Sequence, residues 1–88
     1  MLDLVKYVVE QFAEHKDAVE YQVNEKGNAT EIVVLLEESD MGKVIGRQGK
    51  IAKALRTIVR AATPADSKRY VIEIREKGGD RVDGDDGE

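Results

Sequence analysis

The chain has 88 residues, no Cys, a single His, and 14 Lys and Arg against 18 Asp and Glu, for a formal net charge of -4. A chain this short buries little more than about 60% of its unfolded surface, which leaves room for one small domain and excludes a two-lobed enzyme with a deep interdomain cavity. The absence of Cys excludes disulfide staples, zinc ribbons and thiol nucleophiles, and the acidic total argues at first sight against a nucleic-acid partner.

Leu4, Val5, Val8, Val9 and Phe12 share one helical face, while Lys6, Glu10, Gln11 and Glu14 fall off it. This spacing predicts an amphipathic helix from Asp3 to Lys16, with Asp3 as N-cap. Val19, Tyr21 and Val23 alternate with Glu20, Gln22 and Asn24, the period of a strand with one buried face. Gly27 and Asn28 supply a turn. The run Ile32-Val33-Val34-Leu35-Leu36 is apolar on both faces and reads as the central strand. Ser39 and Asp40 offer caps for a short helix through Ile45, which the run Gly46-Arg47-Gln48-Gly49 breaks. Ile51, Leu55, Ile58, Val59 and Ala62 form the stripe of another helix, which Pro64 ends. Tyr70, Ile72 and Ile74 alternate with Val71, Glu73 and Arg75 as a last strand. From Glu76 onward Val82 is the only apolar residue, so residues 76–88 read as a disordered acidic tail.

The order is therefore α-β-β-α-α-β, an α+β fold over residues 1–75. The β-α-α-β crossover makes its two strands parallel and the hairpin makes the first strand antiparallel, which gives a three-stranded mixed sheet with helices packed on one face. Asp3, Lys6 and Glu10 interrupt the N-terminal apolar stretch, unlike a secretory leader, and the longest aliphatic run is far short of a membrane span. A cytoplasmic protein is the expectation.

The charge is segregated. Residues 1–40 have a net of -7 and residues 61–75 a net of +1, while the tail, 76–88, carries -4. Residues 41–60 hold Lys43, Arg47, Lys50, Lys53, Arg56 and Arg60 with no acid, a net of +6. The folded part is thus neutral, and the tail accounts for the whole excess. Lys50, Lys53 and Arg60 lie in one helical sector with Arg56 adjacent, away from the Leu55 and Val59 stripe. A solvated helix face would ordinarily include Glu, and its omission points to an anion-binding surface.

A Gly-x-x-Gly spacing alone is weak, since turns between helices use Gly often. Its setting is more informative. Gly46 and Gly49 let the backbone approach a ligand, the following helix presents unpaired N–H groups, and Lys43, Arg47 and Lys50 add charge, a combination suited to a phosphate chain. The run Val44-Ile45-Gly46-Arg47-Gln48-Gly49-Lys50 within this element order resembles the signature of a type II KH domain, whose loop clamps about four nucleotides. With the length and the continuation Ile58-Val59-Arg60-Ala61-Ala62, the chain resembles the KhpA family of small bacterial KH proteins over residues 1–75. The resemblance implies an RNA-binding, RNA-chaperone-like protein that pairs with a second KH protein of the KhpB type (Jag or EloR), with a role in cell length and peptidoglycan homeostasis. It makes Gly46, Arg47, Gln48 and Gly49 the clamp. Val44, Ile45 and Leu55 are either groove floor or ordinary core, and Val33 or Leu35 would line the other wall if their face is open. One position departs from the family, which usually has a bulkier aliphatic residue where this chain has Ala52.

Other chemistries lack their parts. A P-loop and a dinucleotide fingerprint both need Gly where Val44 stands, and Ile51 replaces the metal-binding hydroxyl of the former. His15 has no patterned acid or Ser partner and reads as a surface His at a helix end. Asp83, Asp85, Asp86 and Glu88 end before a calcium loop could close. Tyr7, Tyr21 and Tyr70 fall within apolar periodicities, as core or interface residues. The expected function is non-enzymatic, cofactor-free and metal-free binding of single-stranded RNA as a homodimer or heterodimer, with Lys43, Arg47, Lys50 and Lys53 supplying charge. The acidic tail would compete with RNA for Lys50, Lys53, Arg56 and Arg60. The alternative is an interaction module that touches RNA little or not at all and works through Ile58, Val59 or the face of Val33 and Leu35.

Overall fold

A computed structural model describes residues 1–46, 49–79 and 82–83, with the backbone alone for Ile45, Gly46, Val82 and Asp83. The elements are α1 (Leu2–Phe12), a 3-10 turn (Lys16–Ala18), β1 (Glu20–Lys26), β2 (Ala29–Leu36), α2 (Glu38–Gly46), α3 (Lys50–Ala62), β3 (Arg69–Glu76) and β4 (Val82–Asp83). The strand order is β1-β2-β3-β4, with β2 and β3 parallel and the other pairs antiparallel. The mixed sheet of three strands implied by the sequence is present, and β2 is central among them.

Alternation along β2 decides which face is buried. Thr30, Ile32, Val34 and Leu36 point to the helices, as do Ile72 and Ile74 of β3, and these aliphatics form one cluster with Val5, Val9 and Ala13, Met41 and Val44, and Ala52, Leu55 and Val59. Helices thus cover one face of the sheet, as expected. Val33 lies on the other face, in register with Gln22 and Glu73, and is only 5% exposed.

Three boundaries differ from expectation. α1 ends at Phe12 rather than Lys16, and its N-cap is Met1 rather than Asp3. Asp40 does not cap α2. It lies inside that helix, fully buried, and its two carboxylate oxygens accept the backbone N–H groups of Glu14 (3.0 Å) and His15 (3.1 Å). Those bonds hold the chain leaving α1 in a bend, so the helical pattern through Lys16 gives way to a tertiary contact. The tail departs next: β3 runs through Glu76, and Val82–Asp83 pairs back on Arg75 and Ile74. The expectation of disorder from residue 76 is corrected for these residues, because an open strand edge offers backbone pairing that needs no apolar side chains. The remainder of that expectation falls on residues 80, 81 and 84–88, outside the described residues.

Candidate nucleic-acid interface

α2 and α3 form the two arms of the Gly-x-x-Gly break. Gly49 is the N-cap of α3 at φ 71, a left-handed conformation in which a Cβ would be strained. It reverses the chain without a capping side chain and leaves the first N–H groups of α3 without intrahelical partners. Arg47 and Gln48, the two central clamp residues, lie outside the described residues. Ile45 and Gly46 belong to α2 by their backbone.

The other expected residues separate into three groups. Val44 and Leu55 are fully buried in the central cluster, which settles them as core. Ala52 is also core, at 1% exposure, and Ile51 is half-buried against it. The departure from the family at this position therefore falls on helix packing under α3. Lys43 is half-buried, with its Nζ 3.1 Å from a Glu14 carboxylate and 3.9 Å from Asp40. Lys50 and Lys53 are exposed. Of the expected cations whose placement is described, these two are therefore the ones presented to solvent at the start of α3.

The wall facing α3 is the edge of β3, which sequence reasoning did not find. The Arg69 N–H donates to the Asn28 carbonyl (3.2 Å) and the Lys77 N–H to the Leu36 carbonyl (2.8 Å). Odd-numbered residues of β3 therefore turn their backbone groups to β2, and Tyr70, Ile72 and Ile74 turn theirs to the outer edge. The guanidinium of Arg56 donates to the Ile72 carbonyl at 3.2 and 3.4 Å, so α3 lies over that edge. Lys53, Arg56 and Arg60, at i, i+3 and i+7, share this side of the helix. At the far end of α3, a cleft of about 310 Å³ is lined by Arg60, Thr63, Ser67, Arg69 and Tyr70 among others. Val33 and Leu35 belong to the opposite face of the sheet and contribute nothing to this wall. The available sequence signal was topological, since a β-α-α-β crossover lays its second helix along its second strand.

Tyr21 and Tyr70 are half-buried against the core, as expected, whereas Tyr7 is 65% exposed. It sits two residues from both Val5 and Val9, on the outer side of α1. His15 has neighbours that resemble a catalytic group, with Ser39 Oγ at 3.3 Å and Asp40 Oδ2 at 3.5 Å. Both approach the same ring nitrogen, Nδ1, whereas a relay needs the hydroxyl on one nitrogen and the carboxylate on the other. Burial pushes the Asp40 carboxyl up, but the backbone donors of Glu14 and His15, with His15 and Lys43 beside it, outweigh burial and hold it below its ordinary value of 3.8. This cluster is a structural tie between α1 and α2.

The description of the family model that matches residues 2–74 reads KhpA/KhpB, KH domain. This chain belongs to that family. Similar proteins include the RNA-binding protein KhpA of Caldanaerobacter subterraneus subsp. tengcongensis, 45% identical over 76 residues, covering 84% of this chain and 99% of the relative. The RNA-binding protein KhpA of Clostridium perfringens is 42% identical with the same coverage, and that of Bacillus subtilis is 38% identical over 82% of this chain and 89% of its own length. No solved structure matches. No helix among the described residues is long and apolar enough to cross a membrane.

Proposed function

We propose that this protein is a non-enzymatic, cytoplasmic binder of single-stranded RNA. The observation that carries the reading is an acid-free helix α3 that starts at a left-handed Gly49, exposes Lys50 and Lys53 beside it, and lies along the β3 edge at Ile72. Phosphates would follow the Gly46–Gly49 backbone onto the first turn of α3, with Arg47, Lys50 and Lys53 supplying charge and Gln48 a hydrogen-bonding side chain. Lys43, already paired with Glu14 and Asp40, would contribute at longer range. Bases would lie against Ile45 and the α3–β3 cleft. The names of the relatives, all RNA-binding proteins, support the same partner. Action as an RNA chaperone or post-transcriptional regulator with a KhpB-type partner, and a role in cell elongation and peptidoglycan homeostasis, follow as the family-level part of the proposal. The test is the double substitution Arg47→Asp with Gln48→Asp in a folded protein. The reading expects RNA affinity and its salt dependence to fall together, and unchanged values would end it.

A second reading has its own observation. Ala54, Ile58 and Ala61, at i, i+4 and i+7 on α3, are all exposed, Ile58 by 40%. They form a narrow stripe of small and apolar side chains on a different side of the helix from Lys53, Arg56 and Arg60. A homodimer or heterodimer through this stripe would place two clamps on one particle and raise avidity without new contacts. In the alternative extreme, the stripe is the whole function and RNA is not bound.

A further inference from the structure

β1 is an outer strand of the sheet, and among the described residues no strand pairs with its far side. All of its residues but Tyr21 are exposed, Val23 by 47%. Its centre, Gln22-Val23-Asn24, carries neither the charge nor the Pro that usually guards a strand edge.

The backbone groups that this edge offers follow from the other side of β2. Asn28 and Leu36 turn their carbonyls to β3, so even-numbered positions of β2 face β3 and odd-numbered positions face β1. The odd positions pair with Glu20, Gln22, Asn24 and Lys26, which leaves the N–H and C=O groups of Tyr21, Val23 and Glu25 pointing outward. A second β1 can meet them antiparallel only with outward residues opposite one another. The register centred on Val23 sets Val23 against itself and Tyr21 against Glu25 in both directions, three hydrogen-bonded pairs, whereas an axis at Gln22 or Asn24 leaves two within the strand.

Charge selects the same register. It places Glu20 opposite Lys26 at both ends and Gln22 opposite Asn24, in pairs without main-chain bonds, whose side chains lie closest. Within its own chain Glu20 lies 3.3 Å from the Lys77 Nζ, and the Lys26 Nζ lies 3.0 Å from a Glu31 carboxylate. Each end of the contact becomes a row of alternating sign, Lys77 and Glu20 of one copy followed by Lys26 and Glu31 of the other, with no like charges directly opposed.

We propose that β1 is a self-pairing edge: a second copy of this chain adds its own β1 antiparallel about Val23 and makes one continuous sheet. The strand is complementary to its own reverse, which is what singles out a second copy as the occupant. The contact lies at the opposite side of the sheet from β3 and α3, so it is separate from the Ile58 stripe and does not depend on the RNA-binding reading. An edge of seven residues buries an area at the low end for specific interfaces, so the association is weak and grows with concentration, and salt weakens its ends.

The test uses full-length protein carrying Ile58→Glu, which silences the α3 stripe. Raising the protein concentration is expected to shift the amide signals of Tyr21, Val23 and Glu25. Glu20→Lys alone and Lys26→Glu alone each oppose like charges at both ends and are expected to weaken association at least threefold. An equimolar mixture of the two restores opposite charges at both ends and is expected to recover association to within twofold of the parent. The chain has no Cys, so a single introduced Cys can cross-link only to its counterpart in another copy. In this register the two Val23 Cα atoms are about 5.5 Å apart, within disulfide range, and the two Asn24 Cα atoms are more than about 7 Å apart, outside it. Val23→Cys is therefore expected to cross-link in mild oxidant at least tenfold faster than Asn24→Cys, which is also exposed. The absence of any concentration dependence at the three amides overturns the proposal. Self-association that ignores both charge reversals, a mixture no tighter than either variant alone, or equal cross-linking rates overturn it as well.

Discussion

The Arg56 guanidinium donates to the main-chain carbonyl of Ile72 at 3.2 and 3.4 Å, tying the middle of α3 to the outer edge of β3. A residue that sequence places beside an anion-binding basic stripe is therefore also part of the framework that holds α3 against β3. Two bonds from a charged, half-buried donor to one carbonyl contribute about 1.5–3 kcal/mol, reduced by partial solvation. Arg56→Ala is expected to lower unfolding free energy by about 1–2 kcal/mol in a urea titration. Arg56→Lys, which cannot present the same fork, is expected to recover less than half of that loss.

Asp40 gives a pH dependence with a definite sign. Its folded-state carboxyl titrates below its ordinary 3.8, so its contribution to stability is fully present above that value and is lost as pH falls through the lower folded-state value. Asp40→Ala strands the Glu14 and His15 N–H groups beside a buried site and is expected to cost about 2–3 kcal/mol at neutral pH. Asp40→Asn is expected to flatten the acid limb of the stability curve below about pH 4 relative to the parent, as read by thermal melts across pH.

Gly49 is held at φ 71 at the start of α3. Gly49→Ala is expected to destabilise by about 1–2 kcal/mol, because a Cβ in this region meets the following carbonyl. Gly49→Asn, whose side chain tolerates the left-handed region, is expected to cost less, and equal losses in calorimetric melts would contradict the conformational explanation.

Ile58 and the lysines of α3 separate the two functional readings. Ile58→Glu is expected to shift a dimer to monomer in a sizing experiment while leaving the RNA affinity of each domain within about twofold. Lys50→Glu with Lys53→Glu is expected to change stability by less than about 0.5 kcal/mol. It should also reduce the log-log salt slope of RNA binding from near -3, for about four phosphates at roughly 0.7 each, to near -1.5.

The elements legible in the sequence are those whose side-chain periodicity is enforced by one buried face. β2, with Ile32, Val34 and Leu36 inward, and α3, with Ala52, Leu55 and Val59 inward, follow that pattern, and Pro64 ends α3 where a helix stop is expected. The features missed depend on partners distant in sequence. Asp40 looks like a cap from its neighbours but bonds residues 25 and 26 positions away. The end of α1 is set by that contact, and β4 by the backbone edge of β3, so composition carries no trace of either. For the candidate site, charge segregation and glycine spacing marked α3 and its start, while Val44 and Leu55 stayed ambiguous until the packing of the helices resolved them as core.

The most direct test of the central claim is backbone amide shift mapping of the full-length protein titrated with a short single-stranded RNA at low salt. The account predicts perturbations concentrated at Gly49, Lys50, Lys53, Arg56 and Ile72. Perturbations absent throughout, or confined to Ala54, Ile58 and Ala61 or to the face of Val33 and Leu35, would contradict it.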